Sequence, residues 1–237
     1  MDWTPFDRPD YDNMMSFTQG RWDTMGPEEQ DVALKEYELW LPQRRAEMHQ
    51  DELLKKWEQL CPPIYRDSNP ELLPNLPMFE EVQKWEYGPQ GLLLKGPSRQ
   101  GKTRAAWALL KRLHFQEERK IVAFVPKDLK AAVADEWRDR DRIANDWRDR
   151  CNSGPDITTR LRRAEVLYLD DLDTIKFTEA VEETLYDTFE YRLAHGKPVI
   201  LTLNQSGPEL AGRMSTEARG EKITARMRES CRVINFG

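Results

Sequence analysis

A glycine-rich turn at Gly96–Thr103 is the feature that most restricts how this chain can fold. Its sequence, GPSRQGKT, follows the apolar run GLLLK and precedes a segment rich in alanine and leucine. This order of strand, glycine turn and helix is that of a P-loop, in which backbone N–H groups and a helix N-terminus face a phosphate. A chance glycine turn would not also supply Lys102 and Thr103 at the required spacing. We therefore predict a nucleotide-binding loop.

Two side chains and the backbone of this loop make up the predicted ATP site. Lys102 is expected to reach the β- and γ-phosphates, and Thr103 to offer its hydroxyl to Mg²⁺. The remaining predicted cofactor-binding residues are those of the loop itself, Gly96, Pro97, Ser98, Arg99, Gln100 and Gly101. ATP and Mg²⁺ are the expected cofactors.

Composition indicates a soluble protein with a hydrophobic core. Of 237 residues, 39% are hydrophobic and 33% are charged, and the net charge of -6 argues against a surface devoted wholly to nucleic acid. No apolar run approaches the roughly 20 residues of a membrane span, and the acidic, aromatic N-terminal stretch does not resemble a secretory signal. Three widely spaced cysteines exclude a disulfide framework and an all-cysteine zinc site. We predict a cytoplasmic location and no membrane partner.

The N-terminal part, residues 1–60, is predicted to be an arm followed by a helical partner-binding region. Residues 1–25 are rich in aromatic residues, aspartate and proline without a helical period, which indicates a loosely ordered arm or a docking segment. Residues 27–60 have helical patterning, and Pro42 is expected to divide them into two helices.

Beyond a proline-rich linker at residues 61–78, the pattern of residues 79–237 alternates between strands and helices. This alternation predicts an α/β fold with a parallel five-stranded sheet in a three-layer core. The predicted strands are Leu92–Leu94, Ile121–Val125, Val166–Leu169, Val199–Leu203 and Arg232–Ile234.

The sequence VLYLDDLD at Val166–Asp173 supplies the second half of the predicted site. An apolar strand that ends in carboxylates is expected to place Asp170 near Mg²⁺, held through water, and Asp171 where it polarises the attacking water. Asp173 is interpreted as a solvated or capping residue. Acidic residues after a strand are common in loops, so the interpretation depends on the upstream P-loop.

The strand VILTLN ends in Asn204. In a sheet of order 5-1-4-3-2 this strand lies between the P-loop strand and the strand that ends at Asp170, which puts Asn204 near the γ-phosphate and the water. The alternative is that Asn204 only starts the turn that follows.

Two arginines, Arg226 and Arg228, precede the last strand. An exposed arginine here could act as an arginine finger on the ATP of a neighbouring subunit, which requires self-association through the ATPase interface. The alternative is that both are solvated helix-surface charges.

The segment Glu136–Arg150 repeats the tetrapeptide WRDR. Arginine interleaved with tryptophan could bind single-stranded DNA through phosphate contacts and base stacking. Nearby aspartates nearly cancel the charge, so a salt-bridged helix pair is the alternative. The candidate DNA-binding residues are Arg138, Arg148, Arg162 and Arg163.

With these motifs in place, the chain resembles the DnaC/DnaI/IstB group of AAA+ ATPases over Pro62–Phe236. The resemblance rests on CPPIYRDS, the P-loop, VLYLDDLD, PVILTLN and ITARMRESC. It implies an AAA+ core without a C-terminal lid, with Asn204 as sensor 1 and Arg226 as the arginine finger. It also implies an extra helical element between Pro126 and Arg163 that touches single-stranded DNA.

The resemblance implies a helicase loader, in which the N-terminal region binds a hexameric replicative helicase and the ATPase core binds ATP and single-stranded DNA during the initiation of replication. Hydrolysis is expected to be slow and to depend on oligomerisation or DNA. The alternatives are an IstB-like transposition helper, a small-molecule kinase and a nucleotide-gated adaptor with little turnover.

Overall fold

The computed structural model describes residues 11–67, 73–143 and 156–237, and the chain divides into two compact units. The smaller unit is Met1–Lys56 and the larger is Trp57–Gly237. Within the described ranges, no helix combines the length and the apolar character that a membrane span requires.

Helices make up the described part of the smaller unit. Its elements are α1 (Tyr11–Phe17), a 3₁₀ turn (Trp22–Thr24) and α2 (Pro27–Leu60), which continues past the last residue of the unit. Met14 and Trp22 are buried against Ala33 and Tyr37 of α2. The ring of Phe17 lies 5.7 Å from that of Tyr37 in an edge-to-face contact. These apolar contacts fold the segment that precedes α2 onto the helix.

Two predictions for this region are wrong. The described part of the predicted arm, residues 11–25, is not loosely ordered, because its apolar side chains have partners in α2. Residues 1–10 of the predicted arm lie outside the described residues. Pro42 does not divide the helical segment, since α2 continues through it. Proline removes the hydrogen bond to the carbonyl four residues earlier, but Pro42 and Glu38 are both exposed, so water can bond that carbonyl.

A five-stranded sheet forms the centre of the larger unit. Its strands are β1 (Gly91–Lys95), β2 (Ile121–Phe124), β3 (Val166–Leu169), β4 (Val199–Leu203) and β5 (Cys231–Asn235). The strand order is β2-β3-β4-β1-β5 and every pairing is parallel, which confirms the predicted sheet. Parallel strands need a crossover between them, and the intervening helices provide it.

Helices cover both faces of the sheet, which gives the predicted three layers. Those of the larger unit are α3 (Pro63–Arg66), α4 (Leu76–Gln83), α5 (Lys102–Gln116), α6 (Pro126–Ile143), α7 (Ile157–Arg163), α8 (Glu179–Ala194), α9 (Gly207–Ala211) and α10 (Glu217–Ser230). Leu93 and Leu201 belong to a core with residues of α6 to α10, whereas Leu92 and Ile200 belong to a core with residues of α4 and α5. Neighbouring residues on a strand point to opposite faces, so each strand contributes to both cores.

A buried arginine joins α8 to the backbone segments that lead into β3 and into β4. Arg192 is fully buried, and burial lowers its pKa to about 10, so it remains charged at neutral pH. Its guanidinium nitrogens donate to five backbone carbonyls over distances of 2.6–3.4 Å, those of Leu161, Arg162, Ala164, Glu165 and Pro198. The charge is thus stabilised by backbone dipoles, which places α7 and the entry of β3 against α8.

Replacing Arg192 by Leu should lower the free energy of unfolding by about 3–5 kcal/mol, because several buried carbonyls lose their donor. Urea unfolding followed by circular dichroism measures this loss. Arg163→Leu is the control, since Arg163 is exposed in α7, and a change within about 0.5 kcal/mol is expected there. Equal losses in the two variants would contradict the role assigned to Arg192.

Candidate functional site

The loop after β1 has the backbone conformation of a phosphate-binding turn. Gly96, Arg99 and Gly101 all have positive φ angles, of 147°, 66° and 88°. A side chain at residue 96 would also bring its Cβ to 3.0 Å from the Cβ of Phe236. Glycine is required there both for its backbone angle and for the close approach of the chain.

Among the described residues, the backbone N–H groups of Gly101, Lys102 and Thr103 have no hydrogen-bond acceptor. They lie in the turn and at the start of α5, where the first N–H groups of a helix lack intrahelical partners. Successive unpaired N–H groups in such a turn form an anion-binding concavity. The loop therefore fits the phosphates of a nucleotide.

Lys102 lies beneath this turn and is almost fully buried. Its ammonium donates to the carbonyls of Gly96 and Pro97 at 2.8 and 2.7 Å and to Oδ1 of Asn204 at 2.9 Å. Burial lowers the pKa of Lys102, and the nearby carboxylates, Asp171 foremost, oppose that shift. The predicted Lys102 and Asn204 are thus brought into direct contact.

Asp170 is the point where several elements of the site meet. Its Oδ1 accepts from three hydroxyl groups, of Thr103 at 3.0 Å and of Tyr168 and Thr202 at 2.7 Å. The predicted magnesium pair, Thr103 and Asp170, is therefore adjacent. A hydroxyl and a carboxylate are oxygen ligands of the kind that Mg²⁺ prefers, either directly or through water.

Tyr168 and Thr202 were not among the predicted site residues, although both orient Asp170. Tyr168 stands two residues before Asp170, so the alternation of a strand puts the two side chains on the same face. That signal was present in the sequence. Thr202 comes from β4, and only the pairing of β4 with β3 brings it to Asp170.

Asp171 follows in the left-handed conformation with a φ of 41°. Its backbone N–H donates to Oγ1 of Thr202 at 2.6 Å, and one carboxylate oxygen lies 3.3 Å from Nδ2 of Asn204. Burial raises the pKa of Asp171, and the charge of Asp170 raises it further, while the hydrogen bond from Asn204 lowers it. A carboxylate with a raised pKa is better suited to accept a proton.

Asp173 is not the solvated or capping residue that the sequence predicted. It is 3% exposed and accepts from the backbone N–H and the side-chain amide of Asn204, at 3.1 and 3.3 Å. The prediction is wrong because a 3₁₀ turn at Leu172–Thr174 directs Asp173 back towards the end of β4.

A cavity of about 410 Å³ opens over the loop. The predicted residues that line it are Ser98, Arg99, Gly101, Lys102, Thr103, Asp171 and Asn204. Its wall also includes Tyr65, Leu73 and Pro74, which belong to the segment predicted to be only a linker. Tyr65 is nearly parallel to Trp107 at a centroid distance of 6.3 Å, and the guanidinium of Arg104 lies 5.7 Å from its ring centre.

Arg226 lies outside this cavity, on α10. Its guanidinium donates to Glu190 and Glu229, both at 2.5 Å. These bonds, that to Glu229 foremost, raise the pKa of Arg226. Arg228, two residues further along, is exposed and makes no hydrogen bond or ion pair with the described residues.

The candidate DNA-binding arginines differ in their surroundings. Arg138 is 70% exposed and pairs with Asp135 at 3.1 Å. Arg162 pairs with Asp187 at 3.3 Å, and Arg163 is exposed. Arg148 lies outside the described residues.

This chain is similar to known proteins in its structure more than in its sequence. No protein-family model matches the chain, and no curated protein sequence matches it. The solved structure of the DnaC helicase loader is 21% identical, with a TM-score of 0.50, and the match covers 76% of this chain and 98% of that one. For DnaI the identity is 19% and the TM-score 0.50, over 68% of this chain and 79% of that one. This chain therefore shares its fold with the solved DnaC and DnaI structures.

A structure of DnaA from Aquifex aeolicus bound to AMPPCP also matches, at 13% identity and a TM-score of 0.50 over 67% of this chain. This match covers 45% of the DnaA chain, so the present chain spans less than half of its length. The predicted likeness to DnaC and DnaI is confirmed at the level of the fold.

Replacing Lys102 by Ala should weaken ATP binding about 10- to 100-fold, because a charge-assisted contact to the phosphates is lost. Isothermal titration of the purified protein measures the affinity. Lys111→Ala is the matched control, since Lys111 lies on the same helix and its ammonium bonds the exposed carbonyl of Arg66 at 3.2 Å. Unchanged affinity in Lys102→Ala would contradict the assignment of the loop.

Proposed function

We propose that this protein is a cytoplasmic, ATP-dependent helicase loader. The observation that carries the proposal is that Lys102, Asp170 and Asn204 lie together at one edge of an AAA+ sheet. Lys102 bonds Asn204, and Asp170 bonds Thr103, the residue after Lys102. The solved DnaC, named a helicase loader, matches over 98% of its chain. An ATPase core in this architecture, together with a separate N-terminal unit, supports the proposal.

ATP hydrolysis is the proposed chemistry of the cavity. Lys102 and the loop N–H groups bind the phosphates, and Thr103 with Asp170 holds Mg²⁺, which neutralises phosphate charge when bound. Asp171 polarises the attacking water, for which its place in the cavity wall beside Asn204 is favourable. Asn204 bonds both Lys102, which binds the γ-phosphate, and Asp171, which binds the water. It therefore holds these two side chains at a fixed distance from each other.

The N-terminal unit is the proposed binding region for a hexameric replicative helicase. On α2, Val32 is 56% and Leu39 is 75% exposed. They are separated by two helical turns, so they lie on the same side of the helix. Two exposed apolar side chains on one side of a helix are the feature of α2 on which we base the docking surface.

The surface of α6 and α7 is the proposed contact for single-stranded DNA. Arg138 and Arg163 are exposed there, and the ion pair of Arg162 with Asp187 is a surface pair. Surface ion pairs contribute little stability, so phosphate groups can replace aspartate as the partner of these arginines.

Loading of a purified hexameric replicative helicase onto circular single-stranded DNA tests this function. The full-length protein with ATP should increase the amount of helicase bound to the circle, and Leu39→Asp should reduce it at least several-fold without changing ATP affinity. Met48→Asp is the control, because the helical period places Met48 on the opposite side of α2 from Leu39. Capture of a transposase in place of the helicase would favour the IstB-like alternative.

Arg226→Ala should lower DNA-stimulated ATP hydrolysis on the order of 10³-fold while ATP affinity stays unchanged, because the finger acts on a neighbour's nucleotide. Arg228→Ala, on the same helix, is the control and should keep full activity. Mixing Arg226→Ala with Lys102→Ala subunits should restore part of the hydrolysis, since an intact site then meets an intact finger. The reverse result for the two arginines would assign the finger to Arg228.

A further inference from the structure

Among the described residues, both carboxylate oxygens of Asp173 accept hydrogen bonds from one neighbour, Asn204. Its Oδ2 accepts from the backbone N–H of Asn204 at 3.1 Å, and its Oδ1 accepts from the side-chain Nδ2 at 3.3 Å. The side chain is 3% exposed and does not line the cavity. Asp173 therefore stands behind Asn204, on the side away from the nucleotide site.

The partners of Asn204 fit only one orientation of its amide. Oδ1 faces two donors, the ammonium of Lys102 at 2.9 Å and the hydroxyl of Ser98 at 3.2 Å. Nδ2 faces two carboxylates, those of Asp171 and Asp173, both at 3.3 Å. An amide turned by 180° would set its N–H groups against an ammonium and its oxygen against carboxylates.

The backbone explains how Asp173 reaches this position. Asp171 takes the left-handed conformation, and the next residues form the 3₁₀ turn Leu172–Thr174. The N–H of Thr174 donates to the carbonyl of Asp171 at 2.8 Å, which closes the turn. The turn returns the chain to the end of β4 with the carboxylate of Asp173 directed at Asn204.

We propose that Asp173 is a positioning residue that fixes the amide orientation of Asn204, so that its oxygen faces Lys102 and its nitrogen faces Asp171. The proposal rests on the proposed ATPase chemistry for its catalytic consequence. Asp171 alone cannot fix the amide, because its own carboxylate must stay available to the water. Asp173 supplies the second acceptor for Nδ2 of Asn204, from a position outside the cavity that nucleotide and water would occupy.

Asp173→Asn separates this role from a purely structural one. The variant side chain keeps one oxygen, which can still accept from the backbone N–H of Asn204. Its new amide nitrogen then opposes Nδ2 of Asn204, donor against donor, and one of the two side-chain acceptors of Asn204 is lost. The turn is retained while the amide of Asn204 is held less firmly.

A spectroscopic measurement tests the orientation without any need for activity. In the ¹⁵N-labelled full-length protein, the side-chain amide signals of Asn204 are those that disappear in Asn204→Ala. These signals should move and broaden in Asp173→Asn and stay in place in Asp128→Asn, an exposed aspartate of α6. Unchanged Asn204 signals in folded Asp173→Asn would overturn the proposal.

A double-mutant cycle tests the catalytic consequence. Asp173→Asn should lower kcat for ATP hydrolysis about 10- to 100-fold, as is usual for the partners that orient a site residue, with little change in KM. In an Asn204→Ala background the same substitution should have no further effect, because Asp173 acts through Asn204. An equal loss in both backgrounds would overturn the proposal. Absence of hydrolysis by the unsubstituted protein would refute the ATPase function, and the amide signals would still decide the role of Asp173.

Discussion

The parallel pairing of β4 with both β1 and β3 is the constraint on which the candidate site depends. Lys95 of β1 lies opposite Leu203, so β1 and β4 end together, and β3 ends with Leu169 opposite Leu201. A slip of one residue would turn the side chains of β4 to the other face of the sheet. Thr202 would then lose Asp170, and the ends of the strands would no longer form one cavity.

Two polar connections start from the end of β4 and hold the site together. Thr202 bonds Asp170 and the backbone of Asp171, and Asn204 bonds Lys102 and Asp173. The carboxylates lie close to one another, and their repulsion is part of what raises the pKa of Asp171. Lys102 offsets this repulsion. The site is therefore suited to bind a cation at its carboxylates and a polyphosphate at Lys102 and the loop N–H groups, because each ligand carries the charge opposite to its partners.

Much of the fold could be predicted from the sequence, and part of the site could not. The strands and the loop have local signals, namely apolar runs, glycines and a Lys-Thr pair at fixed spacing. Asp173 and Tyr65 lack such signals. The position of Asp173 depends on the left-handed backbone conformation of Asp171. Residues other than glycine rarely adopt this conformation, and the sequence does not indicate it here. Tyr65 reaches the cavity because its segment packs on α5. Both are consequences of tertiary structure.

The sheet also relates the phosphate-binding loop to the proposed arginine finger. β5 follows α10 directly and pairs with β1 from Gly91 to Lys95. Phe236 then donates its N–H to the carbonyl of Lys95 and lies against Gly96. The two ion pairs of Arg226 are at the surface, where such pairs contribute little to stability. A neighbouring nucleotide could therefore draw Arg226 away at small cost, while its helix stays joined to the strand that positions the loop.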